Sequence, residues 1–328
     1  MLPIAFAPTY AHPLPAGHRF PMLKYELLPE QLLHEGTATS GDFFVPTPPP
    51  VADVLLVHAA DYYERLRLGQ LTRLEERTTG FPWSAALFER EITILGGTIE
   101  AARLALQHGV AFNIAGGTHH AFRARGEGFC LLNDQAAAAM WLLTHMPAVR
   151  KILIVDLDVH QGNGTAAIFQ HEPRVFTFSM HGARNYPARK EASDLDLPLP
   201  DGTDDAHYLQ LLGETLPRLL DEVQPDFVFY LAGVDVLATD KLGHLGLTRA
   251  GCRQRDEMVL SLCHRHRLPV VVCMGGGYSE RILDIVEAHA NTFRAPPHFI
   301  NEQGQTIAGA RLRRVADWFR VCDAGANI

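Results

Sequence analysis

The stretch ILIVDLDVHQGNGT, residues 152–165, begins as a core strand and ends as something else. Ile152, Leu153, Ile154 and Val155 form an uninterrupted apolar run, which marks a strand covered on both faces. Asp156, Asp158 and His160 then occupy every second position. In an extended chain that spacing puts all three on one side, with Leu157 and Val159 on the other. Two neighbouring carboxylates repel each other, so an arrangement of this kind calls for a cation.

Runs similar to Ile152–Val155 recur along the chain: VAFNIAGG, RVFTFSM, DFVFYLAGVD and LPVVVCMGGG. Between them lie segments with helical spacing, ILGGTIEAARLALQHG, NDQAAAAMWLLTHM, DAHYLQLLGETLPRLLDEV and LTRAGCRQRDEMVLSLCHRHR. Strands alternating with helices predict an α/β fold around a mainly parallel central sheet flanked by helices. The Pro-rich VPTPPPVADVLLVH near residue 45 reads as a turn into a helical region, because apolar patterning resumes at once. The first 90 residues show no convincing strand series and are expected to wrap or cap the sheet. A single domain over residues 1–328 is the expectation.

Composition narrows the function. The 29 Lys and Arg against 37 Asp and Glu give a net charge of -8, which provides no general basic field for a phosphate backbone. No run of about 18 apolar residues occurs, so no membrane span is expected. The N-terminal MLPIAFAPTYAHPLPAG has no basic segment leading into a long apolar core. Five cysteines without CxxC spacing fit a reducing setting, and a cytoplasmic location is the expectation.

In open α/β sheets ligands bind beyond the carboxyl ends of the strands. The unusual polar residues stand at such ends: His119 and His120, the Asp156/Asp158/His160 series, Asp235, and Tyr278 after three glycines. Asp158, His160 and Asp235 make an oxygen and nitrogen donor set for a divalent metal, with positions left open for water and substrate. Without a thiolate the set suits Zn(II) or Fe(II). A single Asp or His at a strand end would be ordinary turn chemistry; the DxDxH spacing with a second strand-end Asp goes beyond it. Asp156 is free to orient one histidine of the His119–His120 pair through its ring N–H. Glycines before Tyr278 allow close backbone approach, and its hydroxyl is suited to a developing oxyanion. GGGYSE has the wrong spacing for dinucleotide binding, and QGNGTA lacks the third glycine.

Four ordered segments, GGTHHAFRARGEGFCLLND, VDLDVHQGNGT, YLAGVDVLATDKLGHLGLT and GGGYS, resemble the zinc-dependent histone deacetylase family, whose fold is shared with arginases. The likeness runs from about residue 18 to near residue 295, and QGNGT is most like the class IV branch and its bacterial relatives. The resemblance implies Asp158, His160 and Asp235 as metal ligands and His119 as the histidine paired with Asp156. It implies His120 as general base and then general acid, and Tyr278 as oxyanion stabiliser. Gly128 and Phe129 match the channel wall, with Tyr186 and Leu242 as further lining residues. A structural potassium ion, K(I), is implied near Asp156, Asp158, His160 and Ser179. The implied reaction is hydrolysis of an acyl group, acetyl or longer, from the side-chain amine of lysine in proteins or peptides, or from small acylated amines such as acetylpolyamines.

At one position the chain departs from many relatives. The second histidine's aspartate partner is replaced by Asn163, and a neutral amide stabilises an imidazolium less than a carboxylate does. Asn163→Asp is therefore expected to raise the acidic limb of the kcat/KM profile. Two rivals bound this reading. An arginase-like dimetal hydrolase needs further bridging carboxylates, where this chain has Gly162, Gly233 and Leu237. A catalytically idle acyl-lysine binding module would be expected to lack a ligand, the histidine pair or the tyrosine, and all six are present.

Overall fold

The computed structural model describes residues 2–296. Met1 and residues 297–328, and with them the outer limits of the expected domain and Cys322, lie outside the described residues. Eight strands, β1 (Ile4–Ala5), β2 (Phe43–Phe44), β3 (Val110–Asn113), β4 (Ile152–Asp156), β5 (Val175–Gly182), β6 (Leu195–Leu199), β7 (Phe227–Leu231) and β8 (Val270–Cys273), form one sheet. Their order is β2-β1-β3-β8-β7-β4-β5-β6, and every pairing is parallel.

Among the described residues ten α-helices connect and cover the strands: α1 (Lys24–Glu35), α2 (Val51–Val54), α3 (Ala60–Arg67), α4 (Arg73–Thr79), α5 (Ala85–His108), α6 (Asp134–His145), α7 (Asn163–Phe169), α8 (Asp205–Val223), α9 (Arg249–His266) and α10 (Ile282–Arg294). Side-chain caps start several of them. Ser84 accepts from Leu87 N, Asn133 from Ala136 N and Thr248 from Gly251 N, each at 3.0 Å. These bonds satisfy amides that the helices leave without internal partners. Every residue of β3, β4, β7 and β8 is buried, as the unalternating apolar runs predict. The middle of α5, Arg90–Ile99, is buried throughout because the helix lies against β1, β3 and β8 on one side and α6 on another.

Two expectations need correction. The first 90 residues do not only cap the sheet: β1 and β2 extend it past β3, paired through Ile4, Ala5, Phe43 and Phe44. Two-residue strands are too short to leave a period in sequence. β6 was likewise not anticipated. It is the opposite edge strand, half exposed, and Pro198 within it suits an edge where one amide has no ladder partner. No helix among the described residues is long and apolar enough to cross a membrane.

Candidate active site

Strand β4 ends at Asp156, so extended alternation carries only the first of the three polar side chains. Two tight turns place the others. Asp158 N donates to Asp156 Oδ1 (3.2 Å) and His160 N donates to Asp158 Oδ1 (2.9 Å). The aspartates therefore do satisfy turn amides, and their other oxygens take further partners, His119 Nδ1 on Asp156 Oδ2 and Gly276 N on Asp158 Oδ2. His160 Nδ1 lies 3.0 Å from Asp158 Oδ1 and 3.1 Å from Asp235 Oδ2, the latter on the loop after β7. All three residues are buried, with candidate ligand atoms within 4.8 Å of one another.

The donor set fits a divalent cation on its own chemistry. Two buried carboxylates converge on one imidazole, and burial alone would drive them neutral. Burial opposes ionisation of His160, but its bonds to Asp158 and Asp235 push its pKa up to about 10. Burial and then the charge of Asp158 push Asp235 up. The cluster thus holds a proton where a cation would compensate the same charge. A side chain at Gly162 would meet Asp156 Oδ2 at 2.3 Å, and one at Gly233 would meet Asp158 Oδ2 at 2.3 Å. Neither position has room for a carboxylate bridging a second ion, which speaks against the dimetal alternative.

Backbone reaches this cluster through the glycines after β8. Gly276 N donates to Asp158 Oδ2 at 2.8 Å, and a Cβ at Gly276 would lie 2.0 Å from Asp235 Oδ2. Gly276 of the GGG run is therefore required by the carboxylates as much as by any substrate. From behind, the buried Arg255 of α9 donates to the carbonyls of Leu157 (3.1 Å) and Gly233 (2.6 Å), one on each ligand-bearing loop. Its charge is compensated by Asp256, which also accepts from Tyr230 and from Thr292 (2.7 Å).

His119 and His120 sit on the loop after β3, with ring centroids 4.1 Å apart. The loop is fixed from α6. Thr118 N donates to Asp134 Oδ1 (2.9 Å), while Asn133 Nδ2 donates to Ala121 O (3.1 Å). His119 Nδ1 donates to Asp156 Oδ2 at 2.7 Å, and that carboxylate raises the His119 pKa against the opposing effect of burial.

His120 Nδ1 bonds to Asn163 Oδ1 at 2.7 Å, at the start of α7. The Asn163 amide is oriented by Glu127, whose Oε2 accepts from Asn163 Nδ2 at 3.3 Å. A carboxylate only accepts, so the amide oxygen must face His120, whose Nδ1 then carries the proton and whose Nε2 keeps its lone pair. Burial, followed by the charges of His119 and His160, holds the His120 pKa well below its usual value. An imidazole in that state is an unprotonated base at neutral pH.

The pocket floor is lined by His119, His120, Asp158, His160, Gly276 and Tyr278, and it continues inward to Phe20, Tyr25 and Arg90. An outer cleft leads to it past Gly128, Phe129, Tyr186, Leu242 and Tyr278. The four expected channel residues thus share one passage. Phe129 has φ 66°, a backbone conformation uncommon outside glycine, and its N donates to Thr79 O at 2.7 Å. Tyr186 stands edge-on to His120, with ring centroids 4.9 Å apart, and its hydroxyl donates to Glu127 Oε2 at 2.8 Å. Tyr278 N donates to Asp240 Oδ2 at 2.6 Å, and Asp240 Oδ1 also accepts from Leu242 N and Gly243 N. Ser179 pairs with Asp156 in the β4–β5 register, its hydroxyl 2.9 Å from His181 Nδ1.

Sequence reasoning missed Glu127, Asp240, Arg255 and Lys24. Lys24 is buried beneath the site, with Nζ 3.0 Å from Gly275 O and 5.9 Å from the Tyr278 ring centroid. Arg255 and Asp256 carried a signal, adjacent opposite charges on the face of α9 that packs inward. Glu127 carried none, since its neighbours in sequence say nothing about Asn163.

The fold and the site together place the chain among arginase/deacetylase-type α/β proteins. The crystal structure of the HDA15 HD domain matches 96% of this chain and 95% of its own, with TM-score 0.76 at 21% identity, a likeness of fold. The histone deacetylase domain matches residues 18–293, and the chain belongs to the histone deacetylase family. Among similar proteins, an uncharacterised protein of Picosynechococcus sp. is 48% identical over 293 residues, covering 89% of this chain and 97% of that one. Histone deacetylase 2 of Arabidopsis thaliana is 30% identical over 80% of this chain and 70% of its own. A probable deacetylase of Archaeoglobus fulgidus is 30% identical over 76% and 73%.

Proposed function

We infer that this protein is a metal-dependent amidohydrolase that removes acyl groups, acetyl or longer, from the side-chain amine of lysine in proteins or peptides. The observation that carries the reading is His120. Its Nδ1 is committed to Asn163, and it lines a pocket shared with Tyr278, Asp158 and His160, the last two clustered with Asp235. Asp158, His160 and Asp235 would hold Zn(II), with Fe(II) as the alternative for the same donors. When bound, the ion polarises the amide carbonyl and acidifies a water.

The chain's own groups do the rest. His120 Nε2 takes the proton of the attacking water, and the Tyr278 hydroxyl donates a hydrogen bond to the tetrahedral oxyanion. Burial raises the Tyr278 pKa, and the charges of Asp235 and Asp158 raise it further, so the phenol stays protonated as a donor. His120 then returns the proton to the departing amine. His119, held by Asp156, stands with its Nε2 3.9 Å from Asp158 Oδ1. The products are a carboxylate and a free amine.

Asn163 and the QGNGT segment favour a class IV-like or bacterial-type member. A potassium ion is proposed near Ser179 and the backbone of Asp156, Asp158 and His160, where it would stiffen the metal-ligand segment. Cys130, Cys252, Cys263 and Cys273 are free and buried, which supports a reducing, cytoplasmic setting. Small acylated amines are the second substrate class, because the outer cleft is open to the same pocket. The deciding experiment is hydrolysis of lysine peptides carrying acyl groups from acetyl to myristoyl, with Tyr278→Phe and chelation as controls. Turnover abolished by both supports the reading. A metal-loaded protein that hydrolyses none of the panel overturns it.

A further inference from the structure

The mouth of the pocket carries a charge opposite to that of the whole chain. The outer cleft is lined by Arg19, Arg77, Arg184 and His244, and among the described residues no Asp or Glu lines it. All four are exposed, in a protein of net charge -8. Arg184 is paired with Asp201 at 3.2 Å, and His244 Nδ1 lies 3.7 Å from the same carboxylate. Glu127, beneath the cleft, is occupied by Arg125 (2.8 Å), Asn163 and Tyr186.

Arg19 and Arg77 have no carboxylate at ion-pair distance among the described residues. Arg77, in the last turn of α4, is placed to complement that helix's dipole. Such a role does not extend to Arg19, which precedes α1 and whose guanidinium lies 5.1 Å from the ring centroid of Phe129, the channel wall. That contact holds a planar cation at the entrance.

We propose that this arginine rim selects acylated amines carrying negative charge beside the acylated nitrogen, foremost acyl-lysines flanked by Asp or Glu. The inference rests on the acyl-amine hydrolase reading above. Arginine forks pair well with carboxylates, and a segment rich in Lys and Arg around the acyl-lysine is repelled by the same rim. The preference is electrostatic and partly exposed to water, so salt weakens it.

The test uses the full metal-loaded chain and amidated peptides with one acyl-lysine flanked by Asp, Ser or Arg. At low salt, kcat/KM is expected to fall in the order Asp, Ser, Arg, spanning about tenfold through KM, and to converge at high salt. Arg19→Gln/Arg77→Gln is expected to shrink that span in both directions. Nε-acyl-lysine with a free or an amidated α-carboxyl separates the two sources of charge. A lower KM for the free acid alone assigns the rim to small acylated amino acids, whereas a lower KM for Asp-flanked peptides assigns it to protein segments.

Equal rates across the flanks with good turnover of the Ser peptide, or a preference for Arg, overturns the proposal while leaving the hydrolase reading intact. So does a charge order unchanged in the double variant. No turnover with any flank removes the hydrolase reading, and the proposal with it.

Discussion

Replacing Asn163 by aspartate puts a second carboxylate beside Glu127. Asn163 Nδ2 lies 3.3 Å from Glu127 Oε2, and two unit charges at that separation repel by about 5 kcal/mol at an effective dielectric constant of about 20. Glu127 is 14% exposed and already receives Arg125 and Tyr186, so the net penalty is reduced to about 2–3 kcal/mol, about two pH units. The introduced group therefore keeps a proton or shares one with Glu127, and it stabilises the His120 imidazolium only weakly. Asn163→Asp alone is expected to move the acidic limb of kcat/KM by less than about half a unit, despite the simple expectation for an aspartate partner. With Glu127→Gln added, the repulsion is gone. The new carboxylate then raises the His120 pKa, and the limb, which marks loss of the unprotonated base, moves up by about 1–2 units. The assay is the pH dependence of kcat/KM on one acyl-lysine peptide at saturating metal, for the wild type, both single variants and the double. A limb that moves as far in Asn163→Asp alone as in the double variant refutes the coupling to Glu127.

Other outcomes follow from the same geometry. His120→Ala is expected to lower kcat by about 10²–10⁴-fold and Tyr278→Phe by about 10²–10³-fold, with metal content unchanged by elemental analysis. Because His160 holds its proton up to about pH 10 before a cation replaces it, metal binding should release protons. Apparent affinity is then expected to rise by about tenfold per pH unit between neutrality and that value for each proton released, read by calorimetry in buffers of different ionisation enthalpy. Gly276→Ala forces a methyl group toward Asp235 Oδ2, and metal stoichiometry is expected to fall well below one per chain even where the protein remains folded by circular dichroism. Arg255→Leu leaves Asp256 as an uncompensated buried charge and is expected to destabilise the fold by about 3–5 kcal/mol in denaturant titrations.

The five long apolar runs were legible as strands because burial on both faces leaves an unbroken Val, Ile and Phe signature. β1 and β2 were not legible, since two residues cannot show a period, and β6 was masked by Pro198 and its half-exposed pattern. At the site, DxDxH and Asp235 could be assembled from their strand-end positions. The reason they come together is partly different: Asx-type turns after β4, not continued alternation, bring Asp158 and His160 round to Asp235. Asn163 could be singled out by comparison with relatives, but the groups that give it meaning could not. Glu127 lies 36 residues away in sequence, and only the closed fold brings it to the amide.

Arg255 gives the metal-ligand loops a property of their own. One guanidinium, anchored on α9, grips the carbonyl just before Asp158 and another two residues before Asp235. On the proposed metal-site reading the spacing of the ligands is thereby set by the back of the sheet, so a cation would meet donors already ordered, and the work of binding would be mainly dehydration and proton release. The entrance arginines stand on separate segments with no share in that grip. On the proposed reading, changes at the entrance arginines would retune which substrates are admitted while leaving the Arg255 grip on the two loops in place.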